Sequence, residues 1–478
     1  MASFEAARGY KSTVKVIFES AYRTRPDNPE AVLVPVLDCD LDGGRSLVAD
    51  KSILGQFAPS KPSQGNMTAG GSIRMTAGLH MSGIIMKMLC GLPVTTEITA
   101  APTLSGSPVK VGPGLVKLPC AGHGFRHYTQ VTVRGTTNYD GVYIVQPESG
   151  ADDIVIEAIH VDEAFAGTET VKRGAYRKLK AAAAVDKGDG LVGLPCEAHG
   201  YNYGENITVT GTTGYDGNYV VHASSTADEI VIESVFADEN FGGAEEVASR
   251  FFRHLFKTSD RLPSFTVEEE IPVDAAENNA PFWLSEGCKI SSFSYSSSGS
   301  TEGALDFSLN ATAAICRNAL ETAAGSVKKF AHVNFTHSDG ELQLGGEKMA
   351  SAISSGINVG FSLDTTNGYT KGSKGTLTCL NEDDITIGAS LSCHYTDTKL
   401  GEKAADGVVM DFVDSFISKG SQISFILPES QIEPKGTKPK IKGPSGITIE
   451  AQVQGFQENN AYEAPFVAEL INGIASYA

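Results

Sequence analysis

The sequence predicts a mainly β protein of α+β type: a β host made from both ends of the chain, carrying two inserted, tandem small β-barrel or β-sandwich modules. Three observations lead there. Glycine is abundant, 51 of 478 residues, among frequent Thr, Ser and Val, a composition that favours strands and turns. Apolar runs are short and bounded by Gly, Pro, Asn and Asp, as strands are. The stretch GTTNYDGVYIV at 135–145 returns as GTTGYDGNYVV at 211–221. The match runs on without a gap, so that Gly114–Glu157 and Gly190–Glu233 agree at 25 of 44 positions, which marks one module used twice.

Along the chain, TVKVIFES and AVLVPVLDCDL read as strands parted by the turn RTRPDNPE, and GGSIRMTAG at Gly70 as a further strand. LHMSGIIMKMLCG spaces Leu79, Ile84, Ile85, Met88 and Leu89 as a helix face and ends at Gly91, a C-cap residue. PTLSGSPVKVGPG reads as a linker into the first module. In each copy QVTVRG, VYIVQP and DIVIEAI, or their counterparts, read as short strands. YDG is the tight turn, with Gly141 and Gly217 as turn glycines at positive φ. Between the copies, VKRGAYRKLKAAAAVDKGDG is basic and Ala-rich and reads as a linker with a helical turn.

After the copies the β style resumes in SFTVEEEIPV, GCKISSFSYS, GALDFSLNATAAI, ELQLGG, SGINVGFSL, DITIGASLSCHY, SQISFILP and GITIEAQVQGF. ADGVVMDFVDSFISKG is expected to form an amphipathic helix, with Val408, Phe412, Phe416 and Ile417 on one face and Gly420 ending it. The chain thus divides into a host, residues 1–108 and 262–478, interrupted by module 1 at 109–175 and module 2 at 184–247. Whole modules are tolerated where a host loop is exposed and its ends lie close.

Acidic residues exceed basic ones, 57 against 38, for a formal charge of −19. Such a surface repels phosphate backbones and disfavours tight nucleic-acid binding, without excluding a protein that nucleic acid passes without sticking. The start MASFEAARGYKSTVKVIFESAYR has no apolar h-region, and no apolar run approaches the roughly 18 residues of a membrane span. A chain made and kept in the cytoplasm is expected. The eight cysteines show no CxxC pair and read as buried reduced thiols.

Candidate sites are few. Asp38, Asp40 and Asp42 begin like a calcium loop, but Ala49 stands where the bidentate Glu belongs. The stretch reads as a solvated acidic turn. Cys120, His123 and His127 resemble a partial zinc site; the copy keeps Cys196 and His199 but has Tyr203 in the third place. GELQLGGEK at Gly340 lacks the phosphate-loop lysine, Gly346 occupying its place, and reads as a hairpin turn. His332 and His337 lack any catalytic partner pattern, and no nucleophile or metalloprotease motif is present. No enzyme, metal or cofactor is expected. Tyr139, Tyr143, Phe125 and their counterparts Tyr215, Tyr219 and Tyr201 form the one possible exterior ligand surface, able to stack on sugars where exposed. Strand alternation turns some of each pair into the module core.

Three host features resemble the tail tube proteins of long-tailed bacteriophages. These are the opening KSTVKVIFESAYRTRPDNPEAVLVPV; FAPSKPSQGNMTAGGSIRMTAGLHMSGIIMKMLCG, a Gly-rich strand before a short helix; and SFTVEEEI followed by FWLSEGCKISSFSYSSSGSTEGALDFSLNATA. The resemblance covers Met1 to about Pro108 and about Leu262 to Ala478, and implies a tail-tube β-barrel or β-sandwich with a flanking helix, a structural subunit that self-associates into six-fold rings stacked around a DNA channel. It implies contacts with other tail proteins (tape measure, terminator, baseplate or tip), assembly in the host cytoplasm and a place in the virion tail. The strands Gly70–Ala77 and Lys289–Ala311 are its candidates for an electronegative lining, with the modules decorating the exterior. The alternative is a virion or cell-surface adhesin with tandem carbohydrate-binding β modules.

Overall fold

The computed structural model describes residues 9–50, 60–272, 281–439 and 446–477. Residues 1–8 and part of FAPSKPSQG, both used in the reading above, lie outside them. The protein is mainly β, built as several open sheets and not as a closed barrel. Among the described residues there are two α-helices, α1 (Met81–Cys90) and α2 (Lys399–Ala405).

The host contains a broad antiparallel ladder. Its strands run in the order Ser63–Thr76, Asp306–Ala313, the second half of Phe282–Ser298, Ala352–Asp364, Asn381–His394 and Thr448–Gly455. Val36–Cys39 and Asp42–Val48 pair on its outer edge. Each strand alternates: Phe293, Tyr295, Phe307, Leu309, Ile73 and Met75 are buried while the residues between them face out, as period-two side chains require. The first half of Phe282–Ser298 leaves this ladder and pairs with Phe265–Glu270 and Ile315–Ala319. One continuous strand therefore joins two sheets.

A second layer orders Gly340–Leu344, Met410–Ser418, Ser421–Ile432, Val467–Asn472, Phe252–Lys257 and Val94–Glu97. The layers meet through rings, Tyr295 lying 4.7 Å from Phe425 and 5.7 Å from Phe416. Between them Asp414 is buried and accepts hydrogen bonds from Tyr295 Oη (2.8 Å) and Ser355 Oγ (2.7 Å). Burial pushes its carboxyl up to about 6. Helix α1 forms where expected. Gly91 ends it at φ 86°, donating its N–H to Lys87 O at 2.9 Å. Within it, a Cβ on Gly83 would stand 2.2 Å from the Tyr477 ring, so only glycine lets helix and ring meet.

The expected helix over ADGVVMDFVDSFISKG is instead the strand Met410–Ser418, with α2 ending before it. Its apolar spacing fits a helix face, but Phe412, Val413, Phe416 and Ile417 are all buried and both backbone edges are paired. A strand covered on two faces is nearly continuously apolar, and periodicity alone does not separate it from a helix.

Each repeat folds as two packed sheets. In the first, Gly141–Ile144, Gln130–Arg134, Phe165–Arg173 and Thr103–Gly106 pack on Asp153–Glu157, Leu115–Pro119 and Val109–Gly112. In the second, Tyr176–Lys178, Glu246–Ser249, Asn206–Thr210 and Gly217–Val220 pack on Val185–Gly188, Leu191–Pro195 and Glu229–Glu233. Two expected linkers are thus strands: PTLSGSPVKVGPG supplies Thr103–Gly106 and Val109–Gly112, and the basic stretch supplies Tyr176–Lys178 and Val185–Gly188. Short strands with Gly, Pro and Lys at their ends carry the composition of a loop, and pairing decides. The repeat segment leaves and re-enters the host side by side, for Glu97 and Phe252 are cross-strand partners and Arg250 clasps Glu97 with two hydrogen bonds of 2.8 and 2.9 Å.

Candidate assembly surface and repeat junctions

The outward face of the broad ladder is a wide polar surface of the host. One cross-strand row reads Asp38, Arg74, Ser308, Ser294, Asn358, Gly388, Gln454, and the next Thr76, Asp306 and, further along, Gly356, Ser390, Gln452. A shallow open depression runs over it, lined by Arg74, Ser294, Asp306, Asn358, Ser390 and Gln452. Hydroxyls, amides and glycines dominate. The charges are Asp38, Asp306, Asp384 and Glu450 against Arg74, which lies 3.8 Å from Asp306. At the far end Lys289 is held by Glu382 at 2.7 Å. Gly70–Ala77 and Lys289–Ala311 both contribute to this face. It offers shallow polar contact and little positive charge, so a phosphate backbone finds few partners on it.

Each repeat meets the host through an equivalent loop. Gln130 N–H donates to Lys419 O at 2.9 Å, and Asn206 N–H donates to Gly473 O at 2.7 Å. In the first repeat His127 Nδ1 lies 2.8 Å from Oε2 of host Glu341, which also receives Gln343 at 2.8 Å and has Lys348 at 3.3 Å. Burial pushes the Glu341 carboxyl up, but these partners outweigh it and hold it at about 2. In the second the polarity is reversed: repeat Glu205 accepts from Asn202 N–H at 2.9 Å and faces Nε2 of buried host His80 at 3.0 Å. Against burial, the bonds to His80 and Asn202 hold Glu205 below the usual carboxylate range. Arg173 adds a bond to Gly420 O at 3.0 Å, and burial lowers its guanidinium to about 10. Arg134 joins the repeats, 2.5 Å from Glu246 and stacked 3.9 Å over the Tyr176 ring.

These junctions were not singled out from the sequence. The signal was present as disagreement: positions 125–130, FRHYTQ, differ at all six places from 201–206, YNYGEN.

The exterior tyrosine surface is not assembled. Tyr139 and Tyr215 are fully buried, their hydroxyls donating to Val161 O (2.7 Å) and Ala237 O (2.6 Å). Tyr143 and Tyr219 are half-buried against the repeat cores. Gly141 and Gly217 open strands instead of sitting at a hairpin tip. Gly217 keeps the expected positive φ, at 157°, while Gly141 is not among the positive-φ residues. The preceding loop is closed by Asp140, which accepts from Thr136 N–H and Oγ1 at 2.7 and 2.9 Å, and by Asp216 on Thr212 in the same way. The left-handed glycines are Gly135 (φ 85°) and Gly211 (φ 83°).

The remaining sequence candidates scatter. His123 and His199 are bound at both ring nitrogens to backbone of their own repeat, and burial raises the Cys120 and Cys196 thiols to about 11. His127 turns away to Glu341. Gly345 and Gly346, at φ 63° and 74°, make the two-residue hairpin turn between Gly340–Leu344 and Glu347–Lys348. Asp40 accepts from Ser72 N–H and Asp42 from Gly43 N–H, and His337 lies 3.3 Å from Ser297 Oγ.

No curated protein matches the sequence. The family described as phage tail tube protein matches residues 9–455, nearly the whole chain, with both repeats and most of both halves of the host inside the match. The chain belongs to the phage tail tube protein family and is a structural component of the virion tail.

Proposed function

We propose that the chain forms hexameric rings that stack into the tail tube, with the hydroxyl- and amide-rich face of the broad ladder turned to the channel. The single observation that carries this is the composition of that face: several strands wide, it sets Asp38, Asp306, Asp384 and Glu450 against Arg74, neutralises Lys289 with Glu382 at one end, and is otherwise dominated by Ser, Thr, Asn, Gln and Gly. A surface of that kind lets DNA slide, because few cations are offered for counterion release. The host is built from 1–108 and 262–478 together with the strand Phe252–Lys257, and the repeats at 109–175 and 184–247, widened by the strands at 103–106 and 176–178, decorate the exterior. Assembly takes place in the host cytoplasm, the ring contacts tape-measure, terminator and tip proteins, and the subunit is not an enzyme.

Electron microscopy of the purified chain tests the ring: hollow tubes with six-fold end views are expected, and dispersed monomers at high concentration would count against it. Replacing Ser294, Ser308 and Asn358 with Lys tests the lining. Tubes should still form while DNA release slows, and unchanged release would turn this face away from the channel.

A further inference from the structure

The two copies offer an internal test of which surface residues are kept for a reason other than folding. Of the exposed large apolar side chains, Val235 at 87% and Ile159 at 85% are the barest among the described residues. They occupy equivalent positions, seventy-six residues apart (235 − 159 = 76). A lone exposed apolar residue is ordinary; the same bare position in both copies, while the docking loop between host and repeat was rewritten, is not. A second exposed valine also recurs at equivalent positions, Val109 in the first repeat (53%) and Val185 in the second (42%). His160 Nε2, 3.3 Å from Pro108 O, sets Val109 next to the Ile159 segment. In the second repeat the Ala184 N–H bond to Glu239 O, 2.9 Å, ties the residue before Val185 to the segment that follows Val235.

Two acidic positions around these tips are also kept, while Lys110 and His160 of the first repeat give way to Asp186 and Phe236 in the second. Glu157 and Glu233, two residues before the bare side chain, are identical, exposed and without a partner among the described residues. Asp162 and Asp238 follow three residues after it, exposed in both. An apolar tip rimmed by carboxylates repels another of its kind and fits apolar side chains flanked by cations.

We infer that each repeat carries one copy of a docking tip for a protein surface that combines apolar residues with lysine or arginine, so that each subunit offers two equivalent sites. Along a polymer such sites act together and raise avidity without new contacts.

The test uses the full-length chain, kept dispersed, and a synthetic amphipathic helical peptide of Leu and Lys, titrated by calorimetry. Two equivalents should bind, one being lost in Ile159→Ser, the other in Val235→Ser and both in the double variant, with melting unchanged. Glu157→Gln with Glu233→Gln should weaken binding at least tenfold and flatten its salt dependence. Three results would overturn the inference: stoichiometry indifferent to the serine variants, equal binding of a Leu/Glu peptide, or tip-dependent association of the chain with itself in the absence of peptide, which would assign the tips to a second copy.

Discussion

The first and second repeats share their interiors almost side chain for side chain and part company where they touch the host. Tyr139 and Tyr215 each close a core with a hydroxyl on the backbone carbonyl of a returning segment. Ser149 and Ser225 receive Val155 and Val231 N–H at 2.8 Å each, and Glu163 and Glu239 cap the same loop. At the docking loop His127 stands against Glu341 in one copy and Glu205 against His80 in the other. After duplication, what the fold needs is fixed by packing and hydrogen bonding inside the module. The contact face is free to change because each copy meets a different part of the host.

The largest expected effect falls on the shared interior. Tyr139→Ala and Tyr215→Ala should each cost about 3–5 kcal/mol, the range for emptying a large buried aromatic, and the two losses should agree within about 1 kcal/mol. Calorimetric melting of the full chain measures both, and unequal losses would break the equivalence of the cores. Next come the junctions, where the copies should separate. Glu341→Gln removes a charged acceptor from His127, Gln343 and Lys348 and should cost about 2–3 kcal/mol, with faster hydrogen exchange at 126–130 only. Glu205→Gln should do the same at 202–206 only. Exchange that rises in both repeats after either change would show the junctions to be one unit.

A pH series sharpens the same contrast against the host core. Glu341 is held at about 2 in the folded chain against an ordinary 4.5, so its contribution is whole above pH 4.5 and is lost as pH falls from there through 2. Asp414 runs the other way. Its folded value is raised from 3.8 to about 6, so its contribution is whole below 3.8 and is lost as pH rises through 6. Asp414→Asn should therefore flatten the melting temperature between pH 4 and 7 and leave the acid loss in place. A profile unchanged by the substitution would mean that Asp414 does not titrate there.

The smallest effects concern the glycines. Gly135→Ala and Gly211→Ala force a side chain into left-handed backbone and should cost about 1–3 kcal/mol each, equally in the two copies. Gly141→Ala meets only the Tyr143 ring at 3.1–3.2 Å and should cost less than either. Melting of the four single variants, Gly217→Ala included, decides whether the turn lies before or after the YD pair.

Much of the fold was legible because it is written in local pattern. Alternation exposed the host strands, the apolar face and Gly91 exposed α1, and identity between copies exposed the modules. Met410–Ser418 was misread because burial on both faces erases the two-residue period. Thr103–Gly106 and Tyr176–Lys178 were missed because strands of three or four residues are fixed by partners distant in sequence. For the candidate surface, Gly70–Ala77 and Lys289–Ala311 were legible as a pair, but the row from Asp38 to Gln454 depends on register across several strands, which no single segment encodes. The His–Glu junctions are contacts between remote segments, visible in the sequence only as the place where two otherwise matching copies disagree.

The side-by-side pairing of Val94–Glu97 with Phe252–Lys257 bears on how the chain comes off the ribosome. Thr13–Phe18 pairs on one edge with Glu30–Val34, made just after it, but on the other with Phe265–Glu270, made far later, and an apolar strand edge waiting for its neighbour invites aggregation. In that interval both repeats can complete their own cores from local pairings. Once they have docked on each other through Arg134 and Glu246, residues 97 and 252 are already adjacent, and the entropy of closing so long a loop has been met by folding that happens anyway. The duplicated segment thus acts on the nascent host as a clasp, delivering the second half of the sheet to the first in register.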